Sequence, residues 1–465
     1  MTADPEPSRP TQIAAKTSAF LFLVLAATGV GHAVFGVAWL KWTGVVCTVV
    51  FLILEIRAVP RFQAVMAVLM IGIGLGISGN LEDIPAVLIA GLVKAQVFLV
   101  VFFAVAWLQI PAAASPALAA VRRAVVAQPP GRRFFYLAGS GHVLGSVLNL
   151  AGLVLLSTMV DRQTDRHLQR RMATALMHGY VAASIWSPFY VSVVVVLIAL
   201  PSLDWSDAVF HGLPLAAVTV GCAWAFDRIF YRRRGGPDTG AATTPRQSRS
   251  LQPRQRRNLT LVLGSLAVSV IGMVELTGWS LPVVLALVAP LFGMIWMTLI
   301  AGPAAPAHKS GWQLTRTVFE RLPGLRNEAL AFVAASIFGI AVAEAVPAET
   351  FAAIAGSDWT IAALVFGVVG LGFCGLHPVI PVIFVGEVLP PDVIGLPAEI
   401  IGMALLGSWG LSTLVSPFSG TTLIMSRFVP APSHVIAWRW NAPYSLVATT
   451  AVSLSIIAVW RMQFF

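Results

Sequence analysis

The segments ASIWSPFYVSVVV (residues 183–195) and LSTLVSPFSGTTL (residues 411–423) each place Ser-Pro-Phe inside a long apolar run. Proline has no backbone N–H, so a proline inside a helix frees the carbonyl about one turn earlier and breaks the helix. In a membrane such a break is tolerated only where protein or a water-filled cavity surrounds it. The two segments therefore predict a pair of interrupted membrane helices, with two ordinary proline kinks as the alternative.

The composition of the whole chain requires a membrane. The 465 residues are 57% hydrophobic and only 11% charged, and the mean hydropathy is +0.84. A water-soluble surface needs roughly 25–35% charged residues, so most of this surface must face lipid. The formal net charge is +10, and the arginines cluster in short loops between apolar runs. That distribution is typical of cytoplasmic loops rather than of a nucleic-acid-binding face.

Thirteen apolar runs are candidates for membrane segments, because a crossing helix needs about 20 residues. They are 18–38, 43–56, 62–78, 85–110, 134–160, 173–200, 209–230, 258–276, 280–300, 327–346, 360–390, 399–428 and 441–460. Basic residues mark a loop as cytoplasmic. Arginines flank the run 134–160 at both ends, and acidic residues alone flank the run 360–390. Each of these two runs therefore predicts a re-entrant hairpin that enters and leaves on one side.

The resulting prediction is an all-α polytopic membrane protein with about eleven transmembrane helices and two re-entrant hairpins. The expected location is the cell (inner) membrane, with the N-terminus in the cytoplasm and the C-terminus on the external side. Because the hairpins enter from opposite sides, the halves are expected to form an inverted repeat. The predicted regions are a cytoplasmic tail (1–17), a first membrane repeat (18–230, with hairpin 134–160 and broken helix 173–200), a basic cytoplasmic linker (231–257) and a second repeat (258–465, with hairpin 360–390 and broken helix 399–428).

Each half also places a glycine-rich hairpin with a histidine before its Ser-Pro-Phe break. His142 lies 45 residues before Ser187, and His377 lies 39 residues before Ser416. The same order of motifs in both halves supports the repeat independently of the charges. The two hairpin sequences are GSGHVLGSVLNLAG (139–152) and GFCGLHPVIPVIFVG (372–386).

The breaks and the hairpins together predict a substrate site. Half-helix N-termini carry unpaired N–H groups that attract anions, and freed carbonyls can hold a small cation. Hydroxyls add donors and acceptors, and imidazole can bind an anion or relay a proton. The alternative for the hydroxyls is bonding to their own helix. The predicted substrate-binding residues are His142, Ser146, Asn149, Ser187, Pro188, His377, Ser416, Pro417, Ser419, Thr421 and Thr422, and a coupling Na⁺ is considered near Gly145, Asn149, Ser187 and Ser416.

This arrangement resembles the ion transporter superfamily, which includes divalent anion/sodium symporters, arsenite permeases and the large membrane subunits of TRAP transporters. The resemblance implies a homodimer joined through a scaffold domain, and a transport domain that moves as an elevator. The Ser-Asn-Thr signature of the symporter branch is missing: the first hairpin has only Ser146 and Asn149, and the second has His377-Pro378. Sodium coupling and dicarboxylate specificity therefore stay open.

These observations favour a secondary active transporter of a small anion or organic acid, coupled to Na⁺ or H⁺, rather than an enzyme. The alternatives are a TRAP-type permease subunit, an arsenite/cation antiporter, a polytopic membrane enzyme and a non-transporting scaffold. The sequence contains neither HExxH nor a GxxxxGK[ST] loop, which disfavours a zinc hydrolase and a nucleotide-driven pump. No cofactor and no nucleic acid are expected; the expected partners are the lipid bilayer, a small-molecule substrate and a second copy of the chain.

Overall fold

The computed structural model describes residues 9–77, 82–120, 133–161, 165–231, 253–302, 307–347, 350 and 355–463, and these form helices with no β-strand. The helices of the first half are α1 (Arg9–Phe35), α2 (Ala38–Glu55), α3 (Arg61–Ile77), α4 (Ile84–Ala114), α5 (Arg133–Leu148), α6 (Leu150–Asp161), α7 (Arg166–Ala182), α8 (Val191–Ala199) and α9 (Trp205–Phe226). Those of the second half are α10 (Pro253–Thr277), α11 (Leu281–Ala301), α12 (Ala307–Arg321), α13 (Arg326–Ala345), α14 (Asp358–Phe373), α15 (Val379–Val388), α16 (Pro391–Ile394), α17 (Ala398–Val415), α18 (Gly420–Met425) and α19 (Ala442–Met462). Two π-helical segments, Asp227–Tyr231 and Val435–Asn441, follow α9 and precede α19.

Nine helical segments of the described chain are long and apolar enough to cross a membrane. They match nine of the eleven predicted crossings. The other two are α3, which has 17 residues, and the run 173–200, which is interrupted between α7 and α8. The chain is therefore an all-α, multi-pass membrane protein, as its composition predicts.

The predicted boundary between the first two crossings is wrong by several residues. The sequence runs were placed at 18–38 and 43–56, whereas α1 ends at Phe35 and α2 begins at Ala38. Gly36 has a φ of +67°, and its N–H donates to the His32 carbonyl at 2.8 Å. A left-handed glycine of this kind ends a helix. Helix α2 therefore begins earlier than the predicted run 43–56 and has 18 residues.

Two other predicted regions differ from the structure or lie outside it. Because α1 begins at Arg9, the second half of the predicted tail 1–17 is helical. The basic linker 231–257 falls mostly outside the described residues, and its last residues belong to α10.

The chain divides into two compact units, and each unit takes segments from both halves. The first unit comprises residues 1–114 and 264–345, and the second comprises 115–263 and 346–465. In the first unit α4 packs against α13 at close range: a Cβ on Gly91 would lie 2.8 Å from the Ile337 Cα. The rings of Phe98 and Phe332 extend this contact at a centroid distance of 4.8 Å.

The second unit holds both predicted hairpin segments, which are α5–α6 and α14–α15, and both broken helices, which are α7–α8 and α17–α18. Helix α5 packs on α7, and α14 packs on α17. The backbones nearly touch in both pairs, since a Cβ on Gly179 would lie 1.8 Å from the Ala138 carbonyl oxygen and one on Gly372 would lie 2.7 Å from the Ser412 carbonyl oxygen. Only glycine allows helices to approach this closely.

The later helix of each hairpin segment packs against the opposite half of the sequence. Helix α6 lies against α18, and α15 lies against α8. A Cβ on Gly420 would lie 3.2 Å from Leu150, and one on Gly386 would lie 2.5 Å from the Ala199 carbonyl oxygen. The two hairpin segments and the two breaks are thereby joined in one packed body.

Candidate functional site

The first break lies between α7 and α8. A 3₁₀ turn, Ala183–Ile185, follows α7, and helix resumes at Val191. Pro188 cannot donate to the carbonyl of Ser184, four residues earlier. The hydroxyl of Ser192, on the far side of the break, donates to that carbonyl at 2.6 Å. The carbonyl freed by proline is therefore bonded across the break.

The second break, between α17 and α18, repeats this arrangement. Pro417 leaves the carbonyl of Thr413 without its helical donor, and the hydroxyl of Ser419 donates to it at 2.6 Å. Ser419 also caps α18, because its Oγ accepts from the Thr422 N–H at 3.2 Å. The Thr422 hydroxyl in turn donates to the Ser416 carbonyl at 2.7 Å. The preceding residue, Thr421, is also buried.

The hydroxyls differ in whether they bond along their own helix or across a break. Ser146 donates to the Val143 carbonyl at 3.0 Å, which is bonding within its own helix. Ser192, Ser419 and Thr422 instead bond across a break. The carbonyls expected to hold a cation thus already accept a hydroxyl, although a carbonyl oxygen has a second lone pair.

Asn149 forms the turn between α5 and α6. Its φ is +52°, a conformation that asparagine tolerates better than most residues, and its N–H donates to the Gly145 carbonyl at 2.9 Å. Its side-chain Oδ1 accepts from the Tyr180 hydroxyl at 2.9 Å. Ser187 adds a further link, since its hydroxyl donates to the Ser146 carbonyl. The first turn is therefore fastened both to α7 and to the first break.

The turn between α14 and α15 is a Schellman motif. Gly375 has a φ of +95°, and the Leu376 N–H donates to the Leu371 carbonyl at 3.0 Å. His377 follows in an exposed position, and its Nδ1 accepts from the Val379 N–H at 3.3 Å. Because Nδ1 is an acceptor here, the ring proton of the neutral side chain is on Nε2.

Each hairpin histidine meets a tryptophan that the sequence analysis did not single out. The Trp186 indole N–H donates to His142 Nε2 at 3.2 Å. His377 packs edge-on against Trp409 with a centroid distance of 5.9 Å. Both tryptophans precede a break, Trp186 by one residue and Trp409 by seven. A tryptophan shortly before each Ser-Pro-Phe was the available sequence signal.

Most of the predicted residues thus fall into two groups at the breaks within the second unit, whereas His377, which contacts Val379 and Trp409, belongs to neither. His142, Ser146, Asn149 and Ser187 belong to the first group, and Ser416, Ser419 and Thr422 belong to the second. Gly420 connects them, because it packs against Leu150, the residue that follows Asn149. The start of α18 therefore lies beside the turn of the first hairpin segment.

Two buried polar contacts on α7 were missed by the sequence analysis. Arg171, assigned from sequence to a cytoplasmic loop, lies within α7, and its Nε and Nη2 each reach a carboxylate oxygen of Asp227 at 2.7 Å. His178 Nε2 lies 3.0 Å from Asn441 Oδ1, across 263 residues of sequence. A contact over such a separation leaves no local sequence pattern.

The arrangement is chemically suited to binding a polar solute. The two groups supply hydroxyls, an amide and an imidazole, and the nearby Trp186 and His377 add an indole N–H and a second imidazole; most of these side chains form internal hydrogen bonds. A solute can exchange these internal hydrogen bonds for bonds to itself at small net cost. Within the ranges that the structure describes, no group of three or more His, Cys, Asp or Glu side chains is placed to hold a metal ion.

No family model matches the chain, and no curated protein matches it. Among solved structures, the fold is similar to the crystal structure of the YdaH transporter from Alcanivorax borkumensis, which is described as revealing an unusual topology. The TM-score is 0.51 at 15% sequence identity, and the match covers 78% of this chain and 85% of that chain. The two proteins therefore share a polytopic helical fold.

Proposed function

We propose that the chain is a secondary active transporter that moves a small anion or organic acid across the membrane, coupled to Na⁺ or H⁺. One observation carries the proposal: two helices broken at Ser-Pro-Phe are bonded across their breaks and packed together with both hairpin segments in one unit. Broken helices at the interface of two repeats are the usual substrate sites of secondary transporters. The fold likeness to a protein described as a transporter supports transport over catalysis.

The reciprocal packing supports an inverted repeat. The first half contributes the contacts α5–α7 and α6–α18, and the second half contributes α14–α17 and α15–α8. Helices α5, α6, α7 and α8 of the first half correspond to α14, α15, α17 and α18 of the second. Exchanging each helix for its counterpart leaves this set of contacts unchanged. We therefore interpret α5–α6 and α14–α15 as re-entrant hairpins that enter the membrane from opposite sides.

The division into two units suits an elevator mechanism. In that mechanism the second unit, which holds both breaks, carries the substrate, and the first unit serves as the scaffold of a homodimer. We place the protein in the inner membrane with a cytoplasmic N-terminus and an external C-terminus, following the distribution of arginines. The ion transporter superfamily is the family whose architecture this proposal follows.

A ligand screen tests the function. Purified protein is heated with dicarboxylates, monocarboxylates and inorganic anions, each with and without Na⁺ and at two pH values. A true ligand raises the unfolding temperature with its occupancy. Each stabilising solute is then tested for uptake into proteoliposomes. If no solute both stabilises the protein and enters the vesicles, the proposal is wrong.

Alanine variants test the site. We expect Ser187→Ala and Ser416→Ala to abolish or strongly weaken both stabilisation and uptake. The matched control is Ser269→Ala, because the Ser269 hydroxyl is exposed and bonds only along α10 to the Ser265 carbonyl at 2.7 Å. Normal binding and uptake by both site variants would contradict the assignment of the site.

A further inference from the structure

His178 is a buried histidine in the second unit that the proposed site does not use. It lies one turn before the C-terminal end of α7, only 2% exposed, against Asn441 and Tyr444, which are fully buried. Asn441 is the last residue of the π-helical segment Val435–Asn441, and Tyr444 lies in the first turn of α19. Ionisable side chains inside a membrane protein are costly to bury and commonly serve ion or proton pathways.

The hydrogen bonds define which ring nitrogen carries the proton. The Asn441 side-chain NH₂ donates to the Ile436 carbonyl at 2.9 Å, so its Oδ1 faces His178. An amide oxygen only accepts, and His178 Nε2 at 3.0 Å must therefore donate. The other nitrogen, Nδ1, is buried and has no hydrogen-bond partner among the residues that the structure describes. The structure thus accommodates a neutral imidazole whose second nitrogen is an unused acceptor.

The surroundings divide into groups that favour a charged ring and groups that oppose it. The Tyr444 ring stacks on His178 at a centroid distance of 3.7 Å and an angle of 21°, and an aromatic face attracts a cation. The hydrogen bond from the ring to the Asn441 oxygen is also stronger when the ring is charged. Burial and the missing acceptor at Nδ1 oppose the charge.

No neighbouring charge supplies the missing acceptor in the described structure. The Asp227 carboxylate is bonded to Arg171 through both oxygens. The charged and titratable groups with described side chains on the elements packed against α7 are Tyr136 and His142 on α5, Asp161 on α6, Asp207, His211 and Cys222 on α9, Asp227 after it, Glu399 at the first turn of α17, and Arg439 before Asn441. None of these nine has a hydrogen bond to His178 among the described contacts.

We propose that His178 binds the coupling proton. This inference rests on the proposed function and names its coupling ion. The proton binds at Nδ1, the ring becomes an imidazolium, and no other covalent bond changes. In the conformation described here this nitrogen has nothing to donate to, so protonation requires α7 to separate from the segment Val435–Asn441 and admit water. Proton binding thereby shifts the second unit towards a second conformation.

Hydrogen exchange of the full-length protein in nanodiscs tests the proposal without any solute. Amide protection of 435–441 is measured from pH 5 to 8.5 and corrected for the chemical pH dependence of exchange. Below about pH 6.5, the ordinary titration range of histidine, we expect the opening equilibrium to rise by up to about tenfold per pH unit, because opening takes up one proton. A wild-type protein whose corrected protection does not change with pH overturns the proposal.

Variants test whether His178, and not another titratable group, causes the pH dependence of amide protection. His178→Gln is expected to remove the pH dependence. Asn441→Asp keeps the histidine and places a carboxylate at Nε2, which offsets the charge of the ring although Nδ1 still lacks an acceptor, so the acid-induced loss of protection should be smaller than in the wild type. The matched control, His434→Gln, changes an exposed histidine at the start of the same segment and should behave as wild type. Wild-type pH dependence in both His178→Gln and Asn441→Asp overturns the proposal.

Failure of the proposed function gives a different result. If the screen finds no transported solute, the exchange data still establish whether His178 binds a proton that opens this contact. If a solute is transported and His178→Gln keeps the wild-type response to a pH gradient, transport stands and the coupling role of His178 is wrong.

Discussion

The hydroxyl of Ser419 donates a hydrogen bond of 2.6 Å to the carbonyl of Thr413, the group that Pro417 deprives of its helical donor. Ser192 has the same relationship to the Ser184 carbonyl at the other break. Leaving a buried polar group unsatisfied costs roughly 1–3 kcal/mol, so these two serines stabilise breaks that would otherwise be expensive in a membrane.

Removing either hydroxyl should therefore lower stability. We expect Ser419→Ala and Ser192→Ala each to reduce the free energy of unfolding by about 1–3 kcal/mol, because each leaves a carbonyl without its donor. The measurement is denaturant or thermal unfolding of purified protein in detergent. Ser408→Ala is the control, since Ser408 is equally buried but bonds along its own helix to the Ala404 carbonyl. Equal stability of all three variants would show that the bonds across the breaks contribute nothing specific.

The contact between α5 and α7 predicts an unusually severe glycine substitution. A Cβ on Gly179 would lie 1.8 Å from the Ala138 carbonyl oxygen, so Gly179→Ala must force two helix backbones apart. We expect a loss of at least about 1–3 kcal/mol, the usual cost of overpacking. Gly221→Ala is the control, because nothing lies within 4 Å of its Cβ position. Thermal unfolding compares the two, and a Gly179→Ala protein as stable as Gly221→Ala would contradict the described packing.

Sequence reasoning located the breaks because their cause is local: Pro188 and Pro417 remove backbone donors wherever they occur in a helix. Gly375, whose positive φ suits mainly glycine, was not singled out from the sequence. Apolar length and arginine placement likewise predicted most of the crossings. Gly36 shows the limit of run length alone, because the runs 18–38 and 43–56 misplace by several residues a boundary that this single left-handed glycine sets.

The partners of these residues could not be predicted, because they come from distant segments. Tyr180 bonds to Asn149 across 31 residues, and His178 bonds to Asn441 across 263. Nothing in either local sequence indicates the other. The serines that bridge the breaks are an intermediate case, since they lie six or eight residues from the carbonyls they bond but on the far side of a break.

Cys374 offers a direct report on ligand binding at the second hairpin. It is exposed and precedes Gly375 in the turn, whereas Cys47 is buried. In a Cys47→Ala/Cys222→Ala background, we expect a solute identified by the screen to slow the reaction of Cys374 with N-ethylmaleimide, because binding orders and covers the turn. The same background with Ser416→Ala should show no slowing at the same solute concentration. Unchanged labelling in both proteins would separate the second hairpin from the binding site.

The pair Arg171–Asp227 should be far more important for stability than an exposed ion pair. Its side chains are 13% and 4% exposed, and both nitrogens reach the carboxylate at 2.7 Å. Asp227→Asn leaves a buried guanidinium without its counter-charge, a change that costs about 3–5 kcal/mol in buried pairs. Glu320→Gln is the control, because the Arg316–Glu320 pair is mostly exposed, and such pairs contribute about 0–1 kcal/mol.

A double variant distinguishes the value of the pair from the cost of an uncompensated charge. Arg171→Met/Asp227→Leu removes both charges and keeps comparable volume, so we expect it to recover most of the stability lost in Asp227→Asn. Unfolding of the three variants in the same detergent is the measurement. If the double variant is as unstable as Asp227→Asn, the bidentate geometry itself, and not charge compensation, holds α7 to the segment that follows α9.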